Sequence, residues 1–253
     1  MSEKKFLAYK PNGEEIHSSK EFVKIYNLYY YKDHCPLKDV NNRSISQTNK
    51  VVEEYIDHII KNGVQDKKDL VRALAWKMGK IKQDKLEDGS GFAYHEDWKN
   101  AEENPEDILR YGKPFEVSCL FDRMLENKEI LKQASVKEAL EWFQEHPVNY
   151  LGTVYMITLL YFISQANYPI YDQFAKKAID AIKREAKPYE SIPYMTLPEK
   201  NSPQFCKVEK RVEEFKKDID DIFGYENYKA SRDIDRALWV YGHLFKDKSK
   251  SAC

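Results

Sequence analysis

Leu151-Gly-Thr-Val-Tyr-Met-Ile-Thr-Leu-Leu-Tyr-Phe-Ile-Ser164 is the most apolar run in the chain. It falls short of the ~20 residues that a membrane-crossing helix needs, and it has no polar face, so it reads as a helix buried on all sides. Upstream, Ser135-Val-Lys-Glu138 is a capping box: the Ser hydroxyl and the Glu side chain satisfy each other's backbone donors. It opens a helix through Phe143, and His146-Pro147 closes that helix because the residue before proline is pushed out of the α region. Downstream, Asn167-Tyr-Pro-Ile-Tyr171 is an extended connection, and Asp172 caps a further helix through about Arg184. A buried helix between two capped, amphipathic ones predicts an all-α, multi-helix globular domain.

The rest of the chain agrees. Val51, Val52, Tyr55, Ile56, Ile59 and Ile60 form a helical stripe ending at Gly63. Asp66 caps the next helix, carrying Leu70, Leu74, Ala75 and Met78 and ending at Gly79. Glu21–Tyr31, Phe115–Leu131 and Lys207–Phe223 also read as helices, and Ser231 caps a last one with Ile234, Leu238 and Trp239 on its stripe. Residues 1–20, with a Pro11-Asn-Gly13 turn, the Asp88-Gly-Ser-Gly91 stretch, the segment Trp98–Pro114 and the proline-bearing stretch from Pro188 to Pro203 read as irregular. A division near Phe115 gives two lobes, 1–114 and 115–253, of a single domain.

Composition narrows the function classes. The 9 glycines and 10 prolines are too few for a sandwich or barrel built on many tight turns. Lys plus Arg (41) nearly balances Asp plus Glu (42), so a nucleic-acid site has to be a local basic patch rather than a global field. Cys35, Cys119, Cys206 and Cys253 are scattered, which suits reduced thiols in a cytoplasmic protein better than disulfides or zinc. No signal-peptide pattern and no membrane segment is expected. Phosphate-binding glycine loops, Gly-x-Ser-x-Gly and His-Glu-x-x-His are absent from the sequence, and no metal or cofactor is implied.

The unit from Pro147 through Leu151–Gln165 to Pro169-Ile-Tyr-Asp172 resembles the helix-hairpin-helix DNA glycosylases, in particular their 8-oxoguanine glycosylase-like branch. Arg232-Asp-Ile-Asp-Arg-Ala-Leu-Trp-Val-Tyr-Gly242 shares the same general character. The resemblance implies a hairpin that grips a phosphate of double-stranded DNA through Asn149, Gly152 and Thr153, with Lys176 and Lys177 as the nearest basic residues. It also implies a catalytic aspartate, matched by Asp172. The family's hairpin is rich in glycine, whereas Val148–Gly152 supplies only Gly152. Where bifunctional members carry a nucleophilic lysine, this chain has Thr153, so the resemblance implies a monofunctional enzyme using water. In that chemistry a fixed carboxylate stabilises the positive charge that builds on the sugar, after the base has left the stack. The alternative is a non-enzymatic helical module that binds DNA or protein.

The residues have plainer readings as well. Asp172 is an N-cap whatever else it does. His146 and His243 sit at helix ends, where the dipole favours a cation and the last carbonyls need donors. Glu53, Glu54 and His58 lack the second Glu-x-x-His of a di-metal site and read as a solvated face. Lys183 and Arg184 extend the Lys176–Lys177 cluster, while Lys207–Lys217 interleaves with glutamates and reads as an exposed, salt-bridged helix. The 18 tyrosines are mostly core, though a few could stack on an extruded base.

Overall fold

In a computed structural model the chain is described over residues 6–31, 37–45, 50–83, 92–193 and 196–247. Among these residues there are eleven α-helices and only short, two-stranded pairings, so the fold is mainly helical. None of the helices is long and apolar enough to cross a membrane. The residues form two compact units, each discontinuous in sequence: 1–47, 171–196 and 214–253 make unit 1, and 48–170 and 197–213 make unit 2. A cut at Phe115 does not coincide with either, because the first helix of the chain pairs with the last.

Unit 2 is organised on α7 (Thr153–Ile163), the apolar run that opened the sequence reading. It packs against α3 (Lys67–Lys77), α5 (Lys128–Gln133) and α6 (Val136–Glu145). Met156, Ile157, Leu159, Leu160, Phe162 and Ile163 are all buried, each contributing roughly 1.5–3 kcal/mol through removal of apolar surface from water. The Ser135–Glu138 capping box is formed, with Ser135 Oγ accepting from the Glu138 N–H (3.2 Å) and the Glu138 carboxylate accepting from the Ser135 N–H (2.7 Å). Ser135→Ala is expected to lower stability by about 1 kcal/mol in urea denaturation.

α2 (Lys50–Asn62) and α3 begin and end near the predicted positions, with Gly63 and Gly79 at positive φ after them. Glu53 departs from the sequence reading. It is fully buried, and its carboxylate accepts a 2.9 Å hydrogen bond from the Trp76 indole N–H, a donor in the core that needs an acceptor. His58 stays exposed beside Asn62. Phe115–Leu131 is two helices rather than one, α4 (Ser118–Glu126) and α5, broken at Asn127. The stretch Gln83–Tyr94 closes an antiparallel pair, β3 (Ile81–Gln83) with β4 (Phe92–Tyr94), and the Asp88–Gly91 loop lies outside the described residues. Trp98–Pro114 holds a small hairpin, β5 (Leu109–Arg110) with β6 (Lys113–Pro114), that hydrophobic patterning does not announce.

Unit 1 is organised on α11 (Asp233–Gly242), which packs between α1 (Ser19–Tyr30) and α8 (Gln173–Lys183). Phe22, Tyr26 and Tyr241 form an aromatic core, with centroids 5.1 Å apart for Phe22–Tyr241 and 4.9 Å for Tyr26–Tyr241. Within the stretch expected to be irregular, β1 (Ala8–Tyr9) pairs with β2 (Glu15–Ile16) across the Pro-Asn-Gly turn, and residues 1–5 lie outside the described set. β7 (Ser191–Ile192) pairs in parallel with β8 (Lys246–Asp247) at the start of the tail, whose last residues lie outside the described set. α9 (Val208–Phe223) supplies residues to both units, and Gly224 ends it as predicted. A short α10 (Tyr225–Ala230) then precedes Ser231, whose hydroxyl accepts from the Asp233 N–H at 3.0 Å. Cys119 and Cys206 are exposed free thiols.

Candidate functional site

Asp172 sits where the sequence places it. It is the N-cap of α8, its side chain accepting from the Phe174 N–H at 2.8 Å, so the carboxylate lies at the positive end of the helix dipole. Half a turn on, Phe174 turns its ring to α11. The His243 imidazole stacks on it with centroids 3.5 Å apart and planes 18° from parallel, and Trp239 lies 4.0 Å from the imidazole. This closeness depends on Gly242, since a Cβ there would stand 1.9 Å from the Phe174 carbonyl oxygen.

His243 is held in one tautomer. Its Nδ1 lies 2.8 Å from the Trp239 carbonyl oxygen, which can only accept, so Nδ1 carries the proton and the neutral ring offers Nε2 as an acceptor. Burial pushes its pKa below the ordinary value of 6.5. The hydrogen bond to Trp239 and the charges of Asp172 and Asp39 work against that shift, and Lys177 reinforces it. The neutral form is therefore the resident one at neutral pH. His243 caps a helix-end carbonyl, as its position predicts, and it also lines a cavity of about 600 Å³ together with Asp39, Arg43, Phe174, Lys177 and Trp239. Asp172 does not line that cavity, but its charge acts on His243. The far wall is a tight turn: Asp39 Oδ1 accepts from the N–H groups of Asn41 and Arg43 at 2.8 Å each, and the Val40 N–H bonds the His243 carbonyl at 3.4 Å.

The two lysines expected to face phosphate are otherwise engaged. Lys177 is 3% exposed. Its ammonium donates to Asp247 and to the Phe245 carbonyl (3.3 Å) and lies 5.3 Å from the Phe174 ring, so it ties the tail to α8. Lys176 pairs with Asp180 and approaches Asp218 (3.8 Å), and Lys183 pairs with the same Asp218 at 2.6 Å.

The phosphate-gripping residues expected from the sequence belong to unit 2. Asn149 is exposed in the turn between α6 and α7, and Gly152 is the N-cap of α7 without a side-chain cap. Thr153 is buried, its hydroxyl donating to the Pro198 carbonyl at 2.7 Å. Residues 197–200 cover this helix start. A Glu199 carboxylate oxygen would be 3.3 Å from a Cβ at Gly152, and the Lys200 ammonium donates to the Val148 carbonyl. Burial lowers the Lys200 pKa. Glu199 thus places a carboxylate where the helix dipole favours an anion. Nothing near the helix in sequence signals this cover, because it arrives from 45 residues downstream.

A recurring pair does carry a signal. Trp142/His146 and Trp239/His243 share the spacing Trp-x-x-x-His at a helix C-terminus. In both, the ring nitrogen Nδ1 reaches the Trp carbonyl at 2.8 Å and the two rings lie close together. The spacing alone identifies an imidazole fixed against an indole. It does not identify the second ring, Phe174, that completes the stack in unit 1.

Among the described residues no three His, Cys, Asp or Glu side chains converge as a metal would require. Compared with known proteins, the chain matches no family model, and no curated protein or solved structure is similar to it.

Proposed function

We propose that unit 1 binds a nucleobase at the Phe174–His243–Trp239 stack and cleaves its N-glycosidic bond with the help of Asp172. The observation that carries this reading is the meeting of three things in one unit: a helix-capping carboxylate, a neutral imidazole with a defined acceptor, and a cavity lined by the Phe174, Trp239 and His243 rings beside Asp39, Arg43 and Lys177. A planar heteroaromatic ring is stabilised by such faces, and a cavity of about 600 Å³ lies within the usual range for small-ligand sites. Bond cleavage leaves positive charge on the sugar, which a preorganised carboxylate stabilises as it develops. Water then adds to the sugar carbon, its proton passes to the departing base, and base and sugar hydroxyl are the products. No lysine nucleophile is called on, in keeping with the monofunctional type that the sequence resemblance implies.

The test separates the cap from the chemistry. Asn caps a helix about as well as Asp, so Asp172→Asn is expected to leave the thermal midpoint within experimental error while reducing base release from a panel of damaged oligonucleotides at least about a hundredfold. Asp172→Ala is expected to lower stability by about 1 kcal/mol in addition. Release undiminished in Asp172→Asn would end the catalytic assignment.

A second reading, a non-catalytic helical module for a protein partner, is favoured by the cover over α7. Glu199 stands at the helix start that a phosphate would use, and Lys176 and Lys177 are committed to carboxylates. Absence of both base release and duplex binding across the panel would select it.

A further inference from the structure

Tyr111 and Tyr150 are two exposed aromatic residues of unit 2 with unusual backbones. Tyr111 is 79% exposed and Tyr150 39%. The hairpin between β5 and β6 turns on Tyr111-Gly112, with φ of 55° and 71°. Two successive positive φ values at a two-residue hairpin tip belong to the turn type that strongly prefers Asn-Gly. A bulky tyrosine at the first of those positions is strained, and most of its surface stays in water. Tyr150, at φ 63°, repeats the anomaly in the turn before α7. The two strained loops bring the rings edge to face, with centroids 6.2 Å apart. Residues strained in this way cluster at functional sites.

The cations beside the pair are not held in ion pairs, unlike Lys176, Lys177 and Lys183 of unit 1. Among the described residues neither Arg110 nor Lys113 forms an ion pair. The Arg110 guanidinium lies 4.7 Å from the Tyr155 ring and 5.2 Å from the Tyr111 ring, and its buried Nη1 has no hydrogen-bond partner. The Lys113 ammonium lies 6.0 Å from the Tyr150 ring. Exposed rings offer stacking faces to planar bases, and unpaired cations beside them suit phosphates. This combination holds single strands without reading their sequence.

We propose that the Tyr111–Tyr150 pair, with Arg110 and Lys113, is a stacking platform for single-stranded nucleic acid. The choice of ligand rests on the nucleic-acid reading above, but the platform lies in unit 2 and is tested apart from it. The probe is a fluorescein-labelled twelve-nucleotide oligothymidylate, followed by anisotropy at low salt with the full chain. Tyr111→Asn and Tyr150→Asn place in each turn a residue that tolerates positive φ, so the fold is retained. Each is expected to weaken binding about tenfold, in line with the loss of one base–aromatic stack, and the double variant about a hundredfold. Lys113→Gln is expected to reduce the salt dependence of binding. Base release is read on Asp172→Asn and probe binding on the tyrosine variants, so the two readings fail separately. Equal affinity in the double variant, or no binding by the natural chain at millimolar protein, would overturn the platform whatever the fate of the base-release assay.

Discussion

Gly242→Ala is expected to destabilise unit 1 by about 3 kcal/mol, at the upper end of what overpacking costs. In an ordinary helix the same change stabilises by up to about 1 kcal/mol, because alanine loses less backbone freedom on folding, so the sign of the result is diagnostic. Gly242 is the last residue of α11, and the added methyl would lie 1.9 Å from the Phe174 carbonyl oxygen and 2.9 Å from its Cα. These are backbone atoms of α8 that no rotamer change can move. α8 and α11 would have to part, and the Phe174–His243 stack would open with them. Urea denaturation followed by circular dichroism measures the loss. Near-ultraviolet ellipticity from Trp239 reports the stack, and a variant as stable as the natural chain would refute the packing argument.

Arg72→Ala is expected to cost unit 2 about 3 kcal/mol. The Arg72 guanidinium grips Glu102 with two hydrogen bonds, Nε to Oε1 at 2.8 Å and Nη2 to Oε2 at 2.7 Å. The Tyr94 hydroxyl donates to the same carboxylate at 2.7 Å, and the guanidinium lies 4.7 Å from the Tyr55 ring. With side chains 17% and 12% exposed, neither charge is well solvated. Removing Arg72 alone leaves Glu102 partly buried and uncompensated, so the double change Arg72→Met with Glu102→Leu is expected to cost much less than either single change. The pair also sets a pH response. Burial by itself would push the Glu102 carboxyl up, but the hydrogen bonds from Arg72 and Tyr94 and the charge of Arg72 more than offset this and hold it below its ordinary 4.5. A depressed folded-state pKa means that the unfolded chain takes up the proton first. Its contribution to stability is complete above about pH 4.5 and disappears as pH falls through the lower, folded value. His243 works in the same direction at higher pH. Its pKa lies below 6.5, so unit 1 loses stability as pH falls from about 6.5 to the folded value. Denaturation midpoints at pH 7, 5.5 and 4 are expected to fall in that order, with Arg72→Ala making the lower step smaller.

Local chemistry made much of the fold readable. The all-round apolar run gave α7, the Ser135–Glu138 box fixed the start of α6, and Asp66, Asp172 and Gly224 marked helix ends where hydrogen bonds and positive φ require them. What stayed hidden depends on distant partners. Glu53 looks like a surface residue until Trp76, on the next helix, needs an acceptor. Lys177 looks like a phosphate ligand until Asp247, 70 residues on, claims its ammonium. Asp172 is legible as a cap, whereas the stacked role of His243 is not, because its ring neighbour Phe174 is on another helix. The Tyr111–Tyr150 pair joins two loops that share no sequence pattern, and only the backbone angles reveal the strain.

The pairing of α1 with α11 also bears on synthesis. The Tyr9 N–H meets the Tyr241 hydroxyl across 232 residues, so unit 1 cannot close until α11 has left the ribosome. At ~5–20 residues per second that delay is roughly 10 to 50 seconds. Throughout it Phe22 and Tyr26 lack the Tyr241 ring that packs on both of them in the folded unit, so α1 waits on almost the whole of synthesis for its core.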